Sequence, residues 1–112
     1  MKMVQAIIRP AKIEDVKKAL DDAGYTSLTS IEVKGRGRQK GITQTWRGEE
    51  YKVDMLPKVK LEVVVPSDKE DEVVEIIKKN AFTGGIGDGK IFVLPVDKVV
   101  RIRTGEIDGK AL

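Results

Sequence analysis

Apolar positions along the 112-residue chain follow two different periods. Short runs rich in β-branched residues, at 3–10, 26–34, 58–66 and 91–96, are typical of β-strands. Between the first and second runs, and again between the third and fourth, apolar residues recur every three or four positions. This spacing predicts amphipathic helices over 12–24 and 72–80. A further short strand is predicted at 98–104, so the order of elements is βαββαβ with one extra strand.

The two halves of the chain repeat one pattern, since "IIRPAKIEDVKKAL" and "VVVPSDKEDEVVEII" each run from a strand through a proline into a helix with an acidic start. Gly24 stands where the first helix should stop, and Ser67 with Glu70 predicts a capping box for the second. A βαβ unit used twice predicts an α+β, ferredoxin-like fold with both helices on one face of an antiparallel sheet. The length fits a single domain over residues 1–112.

The uncovered face of this sheet predicts self-association. The strands "LEVVV" and "IFVLPV" read as apolar on both faces, although two helices can cover only one. Burial of the second face against other copies would be favoured by about 25 cal/mol per Å² of apolar area. A homo-oligomer is the preferred interpretation, and a twisted sheet curling over its own extra strand is the alternative.

The stretch from Gly35 to Lys58 is predicted to be a long loop, and it carries the chain's excess positive charge. It holds six basic and three acidic residues, so its net charge equals the +3 of the whole chain. Loops of this length in compact domains are usually functional or disordered. An anionic ligand or partner is one interpretation of the charge, and a solvated basic loop is the other.

The amino-acid composition excludes several kinds of functional site. The chain has no cysteine and no histidine, which excludes disulfides, thiolate sites, cysteine nucleophiles and the usual general base. Its start, "MKMVQAIIRP", is too short an apolar run for a signal peptide or membrane span, so a cytoplasmic protein is expected. The carboxylates sit at the spacing of solvated helix faces, and no catalytic set emerges, so the chain is not predicted to be an enzyme.

A glycine-rich segment, "GGIGDGK" at 84–90, has the spacing of a phosphate-binding P-loop. The match is superficial, because Ile91 replaces the hydroxyl residue that would hold magnesium and a strand follows instead of a helix. Its glycines can still form a nest of backbone N–H groups for an anion, with Lys90 adding a charge. An ordinary glycine-rich turn is the alternative.

Two arginines favour the phosphate interpretation. In a strand over "RIRT", Arg101 and Arg103 would share one face while Ile102 points inward, and paired guanidinium groups suit phosphate oxygens. The alternative is that the two arginines lie on an edge strand and prevent it from pairing with other chains. "GRGRQKG" at 35–41 fails as a dinucleotide fingerprint, because no helix follows it, but it suits a flexible basic hinge.

Taken together, these motifs resemble the PII signal-transduction proteins, the trimeric nitrogen-regulatory family, over essentially the whole chain. "EVKGRGRQKG" and "WRGEEYKVDMLPKVK" resemble the two ends of the family's mobile T-loop, here about 37–55. "TGGIGDGKIFV" is similar to the family's C-terminal signature, and "RIRTGE" to its final strand and tail. The resemblance implies a homotrimer that binds ATP or ADP in the clefts between subunits.

The resemblance also implies which residues hold the ligands. Lys90 and the backbone from Gly87 would meet the phosphates, with Arg101 and Arg103 reaching in from the neighbouring subunit. With Mg²⁺-ATP bound, 2-oxoglutarate would enter, Gln39 would be a magnesium ligand, and Lys58 would pair with the distal carboxylate. The full nucleotide set comprises Ile7, Thr29, Gly35, Gly37, Arg38, Gln39, Glu62, Val64, Gly87, Asp88, Gly89, Lys90, Arg101 and Arg103, and the 2-oxoglutarate set comprises Gln39, Lys40, Gly41 and Lys58.

In such proteins the T-loop converts ligand identity into partner binding by a population shift. The implied partner is the ammonium transporter of the cell membrane, with Arg47 as the inserting residue and reversible membrane association as the result. Glutamine synthetase or its regulators are further implied partners. Tyr51 is the acceptor where members are nucleotidylated. The loop departs from the family pattern at Trp46 and Glu49, so an unmodified regulator controlled by ligands alone is the alternative.

Other functions on the same fold are weighed against this one. An RNA-binding domain needs base-stacking aromatics on its sheet, whereas only Phe92 of the chain's five aromatic residues lies in a well-defined strand. Nucleic acid is therefore not an expected partner. A phosphotransfer enzyme lacks an evident base. A trimer of this fold that senses no ligand leaves the glycine segment and the arginine pair unexplained.

Overall fold

The computed structural model describes residues 1–37, 42–46, 48–53 and 55–112, and only the backbone within 42–46 and 49–53. The described residues form six strands and two α-helices. In chain order these are β1 (Lys2–Ile8), α1 (Ile13–Asp22), β2 (Thr29–Gly35), β3 (Ile42–Trp46), β4 (Glu49–Val53), β5 (Leu56–Val65), α2 (Glu70–Ala81) and β6 (Lys90–Pro95).

Four of the strands form one antiparallel sheet in the order β2-β5-β1-β6. The register places Ala6 of β1 between Leu61 of β5 and Ile91 of β6. The strands before and after each helix are not neighbours in the sheet: β5 lies between β1 and β2, and β1 lies between β5 and β6. This is the ferredoxin-like arrangement. The predicted α+β, ferredoxin-like fold is therefore confirmed.

The core lies between the two helices and one face of this sheet. Because side chains alternate along a strand, every second residue of the central strands β1 and β5 points at the helices. The helices contribute apolar residues at three- and four-residue spacing, as predicted. The buried cluster consists of Val4, Ala6, Ile8, Val16, Leu20, Val59, Leu61, Val63, Val65, Val73, Ile77 and Ala81.

The opposite face of the sheet is mixed and only partly buried, and neither helix packs on it. Within "LEVVV" this face holds Glu62 and Val64, so the prediction that the run is apolar on both faces is wrong at Glu62, and Lys58 and Lys60 earlier in β5 add further polar side chains. Exposed large apolar side chains lie at both edges of this face, with Phe92 46% and Leu94 40% exposed on β6 and Ile31 44% exposed on β2. Self-association stays a prediction, and its apolar part lies at the sheet edges.

Both helices are entered in the same way, which confirms the repeat seen in the sequence. Short 3₁₀ turns, Pro10–Lys12 and Ser67–Lys69, follow β1 and β5 and precede α1 and α2. The predicted capping box is wrong, because α2 begins at Glu70 without a side-chain cap. The 3₁₀ turn places Ser67 before the helix, where its Oγ accepts a hydrogen bond of 3.1 Å from the N-terminal ammonium.

The segment predicted as a long loop contains an antiparallel hairpin of its own, β3 with β4. Trp46 pairs with Glu49 at its closed end, and Gly48 there has a φ of 77°. The alternating β-branched and aromatic residues of this segment have the strand propensity that accounts for the hairpin. Pairing between β2 and β5 continues to Gly35 and Leu56, so β5 begins two residues before the predicted strand.

The prediction of a strand at 98–104 is wrong. Residues 102–104 form a turn, and Val100 makes an isolated bridge with Ile107. The N–H of Gly105, at a φ of 72°, donates to the Arg101 carbonyl at 2.8 Å and closes the turn. Ile102 is 99% exposed instead of pointing inward. Arg101 and Arg103 therefore do not share a strand face, and that prediction is wrong.

Candidate functional site

The glycine loop (residues 83–90) joins α2 to β6 and is organised around the carboxylate of Asp88. This carboxylate accepts hydrogen bonds from the backbone N–H groups of Thr83 and Gly84, each at 2.9 Å, and from the Thr83 hydroxyl. Arg9, just beyond β1, adds an ion pair of 3.0 Å from Nε. These donors, led by the Thr83 hydroxyl and N–H, hold the pKa of Asp88 well below its usual range.

Two glycines shape the part of the loop that approaches the sheet. Gly87 and Gly89 have φ values of 103° and 98°, in the region that side chains other than glycine rarely adopt. This backbone brings residues 86–89 beside the end of β2 and the beginning of β5. The loop thereby becomes one wall of a cleft.

The cleft has a volume of about 510 Å³. Four cationic residues and no carboxylate residue belong to its described lining, and apolar side chains cover part of its walls. Such a cleft suits a ligand with an anionic end and an apolar or aromatic end. The lining consists of Ile7, Val33, Lys34, Gly35, Arg36, Gly37, Lys58, Ile86, Gly87, Gly89, Lys90 and Phe92.

Lys58 reaches across the cleft to the glycine loop. Its Nζ donates a hydrogen bond of 2.7 Å to the carbonyl oxygen of Gly87. Burial, and next the positive charge of Arg9, lower the pKa of Lys58, while Asp88 acts in the opposite direction. A carboxylate or phosphate beside this ammonium would offset both effects, because an opposite charge favours the ionised form.

The structure brings one part of the predicted nucleotide set together in this cleft: Ile7, Gly35, Gly37, Gly87, Gly89 and Lys90, along with Lys58 of the predicted 2-oxoglutarate set. Asp88 lies behind the loop and organises it. Thr29 and Glu62 face each other across β2 and β5, and Glu62 accepts a 2.9 Å hydrogen bond from Gln5. Val64 lies opposite Met3. These three residues lie on the sheet outside the cleft lining.

Arg101 and Arg103 are not in the described lining of the cleft either. Arg101 donates to Glu106 Oε1 at 3.4 Å and to the Leu112 carbonyl at 3.2 Å within its own chain. Arg103 is exposed. Their expected place, in the cleft of a neighbouring subunit, stays a prediction.

Several predicted residues lie outside what the structure describes: Arg38, Gln39, Lys40, Gly41 and Arg47. Tyr51 belongs to β4 and its backbone pairs with Gln44, but its side chain is not among the described parts. The magnesium ligand, most of the 2-oxoglutarate set and the partner contact therefore stay predictions.

Sequence reasoning missed some residues of the site. Arg36 and Lys34 add charge beside the cleft, and Ile86 adds an apolar wall. Arg9 holds the glycine loop through Asp88, and its signal was a lone positive charge between an apolar strand and Pro10. Only the three-dimensional pairing with Asp88, which is 79 residues away in sequence, gives that charge a role.

These features define a class: a ferredoxin-like α+β protein with a cationic, glycine-walled cleft at the base of the segment that carries the hairpin of β3 and β4. Comparison with known proteins then gives the family, because the family described as Nitrogen regulatory protein P-II matches residues 1–106. The chain belongs to this family. The resemblance noted in the sequence is thereby confirmed.

Individual relatives agree over all or nearly all of their lengths. Nitrogen regulatory protein P-II 2 of Methanothermobacter thermautotrophicus is 58% identical over all of this chain and 97% of its own length. Nitrogen regulatory protein GlnK and Nitrogen regulatory protein P-II 1, both of Escherichia coli strain K12, are 55% and 57% identical over all of both chains. These names describe regulatory proteins and not enzymes, as the sequence predicted.

In the described part of the chain, no helix combines the length and the apolar character needed to cross a bilayer.

Proposed function

We propose that this nitrogen regulatory protein binds ATP or ADP in the glycine-loop cleft and uses its hairpin to report which ligand is bound. The observation that carries the proposal is the cleft itself, where Lys58, Lys90 and Arg36 surround the glycine backbone with no carboxylate residue in the described lining. Phosphate groups fit the cationic end. Ile7, Val33 and Phe92 offer apolar surface for a base.

The proposed binding unit is a homotrimer. The apolar β6 edge, with Phe92 and Leu94 partly exposed, supports contact with another copy. A neighbouring subunit would add the guanidinium groups of Arg101 and Arg103 to the phosphates, and adenosine would extend over Thr29, Glu62 and Val64. Arg103 is exposed in the single chain, which leaves its charge available for such a role.

The second proposed ligand is 2-oxoglutarate, taken up with Mg²⁺-ATP. Lys58 is held within the cleft, and the cost of keeping its ammonium there would fall beside a carboxylate. Gln39 would provide an oxygen ligand to magnesium, and Lys40 and Gly41 would line the metabolite. Magnesium prefers oxygen ligands and usually keeps contacts to substrate phosphates, which suits one protein ligand beside a nucleotide.

The proposed output is a change in the T-loop, about 37–55, which includes the hairpin of β3 and β4. Gly35 and Gly37 line the cleft where this segment begins, so an occupant would contact its base directly. Ligands that prefer different T-loop states shift their populations. The proposed partner is the ammonium transporter, contacted through Arg47 by a cytoplasmic protein that associates reversibly with the membrane. Glutamine synthetase or its regulators are proposed as further partners.

Substitution of Lys90 tests the proposed cleft. Titration of Mg²⁺-ATP into the protein should give saturable binding, and Lys90→Ala should weaken it by about tenfold or more, as expected for a lost charge-assisted contact. Lys98→Ala, an exposed position beyond β6, is the matched control. Equal affinity in all three proteins would place the nucleotide elsewhere, and no binding to the unmodified protein would refute the proposal.

A further inference from the structure

The tripeptide Asp-Gly-Lys occurs twice in the chain, at 88–90 in the glycine loop and at 108–110 in the segment after β6. An Asp-Gly pair is prone to spontaneous isomerisation, because glycine has no Cβ to obstruct the backbone nitrogen that follows the aspartate. We infer that Asp108 is a site of covalent modification, where aspartate converts to isoaspartate, and that the fold protects Asp88 from the same reaction. The inference does not rest on the proposed function.

The reaction needs only the protein and water. The backbone nitrogen of Gly109 attacks Cγ of Asp108, and a C–N bond forms. The carboxyl hydroxyl and the amide proton leave together as water, which gives a five-membered succinimide. Addition of water to the Cγ carbonyl of this ring restores aspartate. Addition to the main-chain carbonyl leaves isoaspartate, with no net change in atoms or charge.

The fold leaves Asp108 and Gly109 accessible to this reaction, since both residues are exposed. Among the residues that the structure describes, the Asp108 carboxylate accepts one hydrogen bond, from the Val99 N–H at 3.3 Å. A Cβ added at Gly109 would meet no atom within 4 Å, so the backbone there has room to turn. The Gly109 N–H lies at the start of the 3₁₀ helix Asp108–Ala111, where N–H groups have no acceptor within the helix.

The backbone at Asp108 also favours local opening. Asp108 is the one described residue other than glycine with a positive φ, at 55°. Residues with a Cβ rarely adopt this region, because the Cβ crowds the following carbonyl oxygen. The 3₁₀ helix that begins here is four residues long, so few hydrogen bonds oppose its opening. Closure of the succinimide requires a rotation that brings the nitrogen to Cγ, and an easily opened turn permits that rotation.

The identical tripeptide in the glycine loop is held firmly. The Asp88 carboxylate accepts hydrogen bonds from two backbone N–H groups, the Thr83 hydroxyl and Arg9 Nε. Gly89 rests on β1, since an added Cβ would lie 1.6 Å from the Ile7 carbonyl oxygen. Neither the carboxylate nor the nitrogen can therefore turn toward the other. The lowered pKa of Asp88 acts in the same direction, because water leaves only from a protonated carboxyl group.

Isomerisation would loosen the segment after β6. It inserts one methylene group into the main chain beyond Asp108 and displaces the carboxylate that accepts from Val99. The hydrogen bond of 3.2 Å from Arg101 Nη2 to the Leu112 carbonyl spans the same 3₁₀ helix, so the guanidinium group would keep only its contact with Glu106. This arginine is one of the two proposed for the phosphates, so the modification would reach the proposed site without depending on it.

Ageing of the purified protein at neutral pH, folded in buffer and unfolded in urea, tests the inference. Cleavage by trypsin gives peptides 104–110 and 80–90, each with one Asp-Gly pair. Isoaspartate in each peptide is measured by electron-transfer fragmentation and by methyl transfer from S-adenosylmethionine with an isoaspartyl methyltransferase. In the folded protein Asp108 should isomerise at least about tenfold faster than Asp88, which corresponds to about 1.4 kcal/mol in the free energy of local opening. In urea the two rates should be nearly equal, because the reacting residues are the same.

Two variants test the cause of the difference. Gly109→Ala places a methyl group in open space without straining the backbone, and it should slow isomerisation of Asp108 by about tenfold, because the methyl group shields the attacking nitrogen. Thr83→Val removes a donor to Asp88 and should speed isomerisation there while leaving Asp108 unchanged. Equal rates at the two aspartates in the folded protein, or the same ratio folded and in urea, would overturn the inference. An unchanged rate at Asp108 in Gly109→Ala would overturn it as well.

Discussion

Gly89 and Ile7 are in backbone contact so close that a side chain at Gly89 has no room. A Cβ built at Gly89 would lie 1.6 Å from the carbonyl oxygen of Ile7, and the φ of Gly89 is 98°. The glycine loop thus rests directly on β1, and this contact sets the position of the cleft wall. Glycine is required here for space as well as for conformation.

Gly89→Ala should therefore destabilise the fold far more than a glycine substitution in open space. Gly24 is a matched control, because its φ of 94° is nearly the same and nothing lies within 4 Å of an added Cβ. Gly24→Ala should cost about 1–2 kcal/mol for its backbone conformation, and Gly89→Ala at least about 2 kcal/mol more for displaced backbone. Urea unfolding of both variants measures the difference. Equal losses would show that the contact with Ile7 relaxes freely.

The helices and the main sheet were predictable from the sequence, because the spacing of residues such as Val16, Leu20, Val73 and Ile77 follows directly from burial on one face. The hairpin was not predicted, because the many glycines and charged residues of 35–58 are typical of a loop and outweighed the alternating β-branched residues within it. The predicted strand at 98–104 does not form, because the turn at 102–104, closed by the hydrogen bond from Gly105 to Arg101, interrupts it. Arg9 could not be assigned, since its partner Asp88 is distant in sequence.

Asp88 should make stability depend on pH in the acid range. Its folded pKa lies below the ordinary value of 3.8, so its contribution is fully present above pH 3.8 and is lost as the pH falls through the lower folded pKa. Asp88→Asn should therefore be less stable than the unmodified protein at pH 7, with the difference shrinking below pH 3.8. Chemical unfolding at several pH values measures this.

Asp22→Asn is the control for that series, because Asp22 makes a surface pair with Lys18 and is remote from the loop. A difference between Asp88→Asn and the unmodified protein that stays constant from pH 7 to pH 2 would show that the carboxylate charge does not hold the loop.

Lys58 should make stability rise with pH in the alkaline range as well, because its folded pKa is also lowered. Its folded pKa is below 10.5, so the cost of its buried charge is fully present below the folded pKa and disappears as the pH rises towards 10.5. The unmodified protein should gain stability relative to Lys58→Met across that window. Lys60→Met, two residues along β5, corrects for the loss of a strand lysine, and parallel curves for the two variants would contradict the assignment.

Arg103 should affect ligand binding without affecting the single chain. The side chain is exposed, whereas Arg101 binds Glu106 and the Leu112 carbonyl in its own chain. Arg103→Ala should weaken Mg²⁺-ATP binding by about tenfold, as for a lost phosphate contact, with unchanged unfolding. Arg101→Ala should lower both affinity and stability. Equal stability loss in the two variants would mean that Arg103 has a structural role.

Calorimetric titration of Mg²⁺-ATP with and without 2-oxoglutarate tests the central claim most directly. Each ligand should strengthen the binding of the other by the same factor, because coupling between two sites is reciprocal. ATP binding indifferent to 2-oxoglutarate would remove Gln39 and Lys58 from a metabolite site. Absence of ATP binding under both conditions would contradict the assignment of the glycine-loop cleft as a nucleotide site.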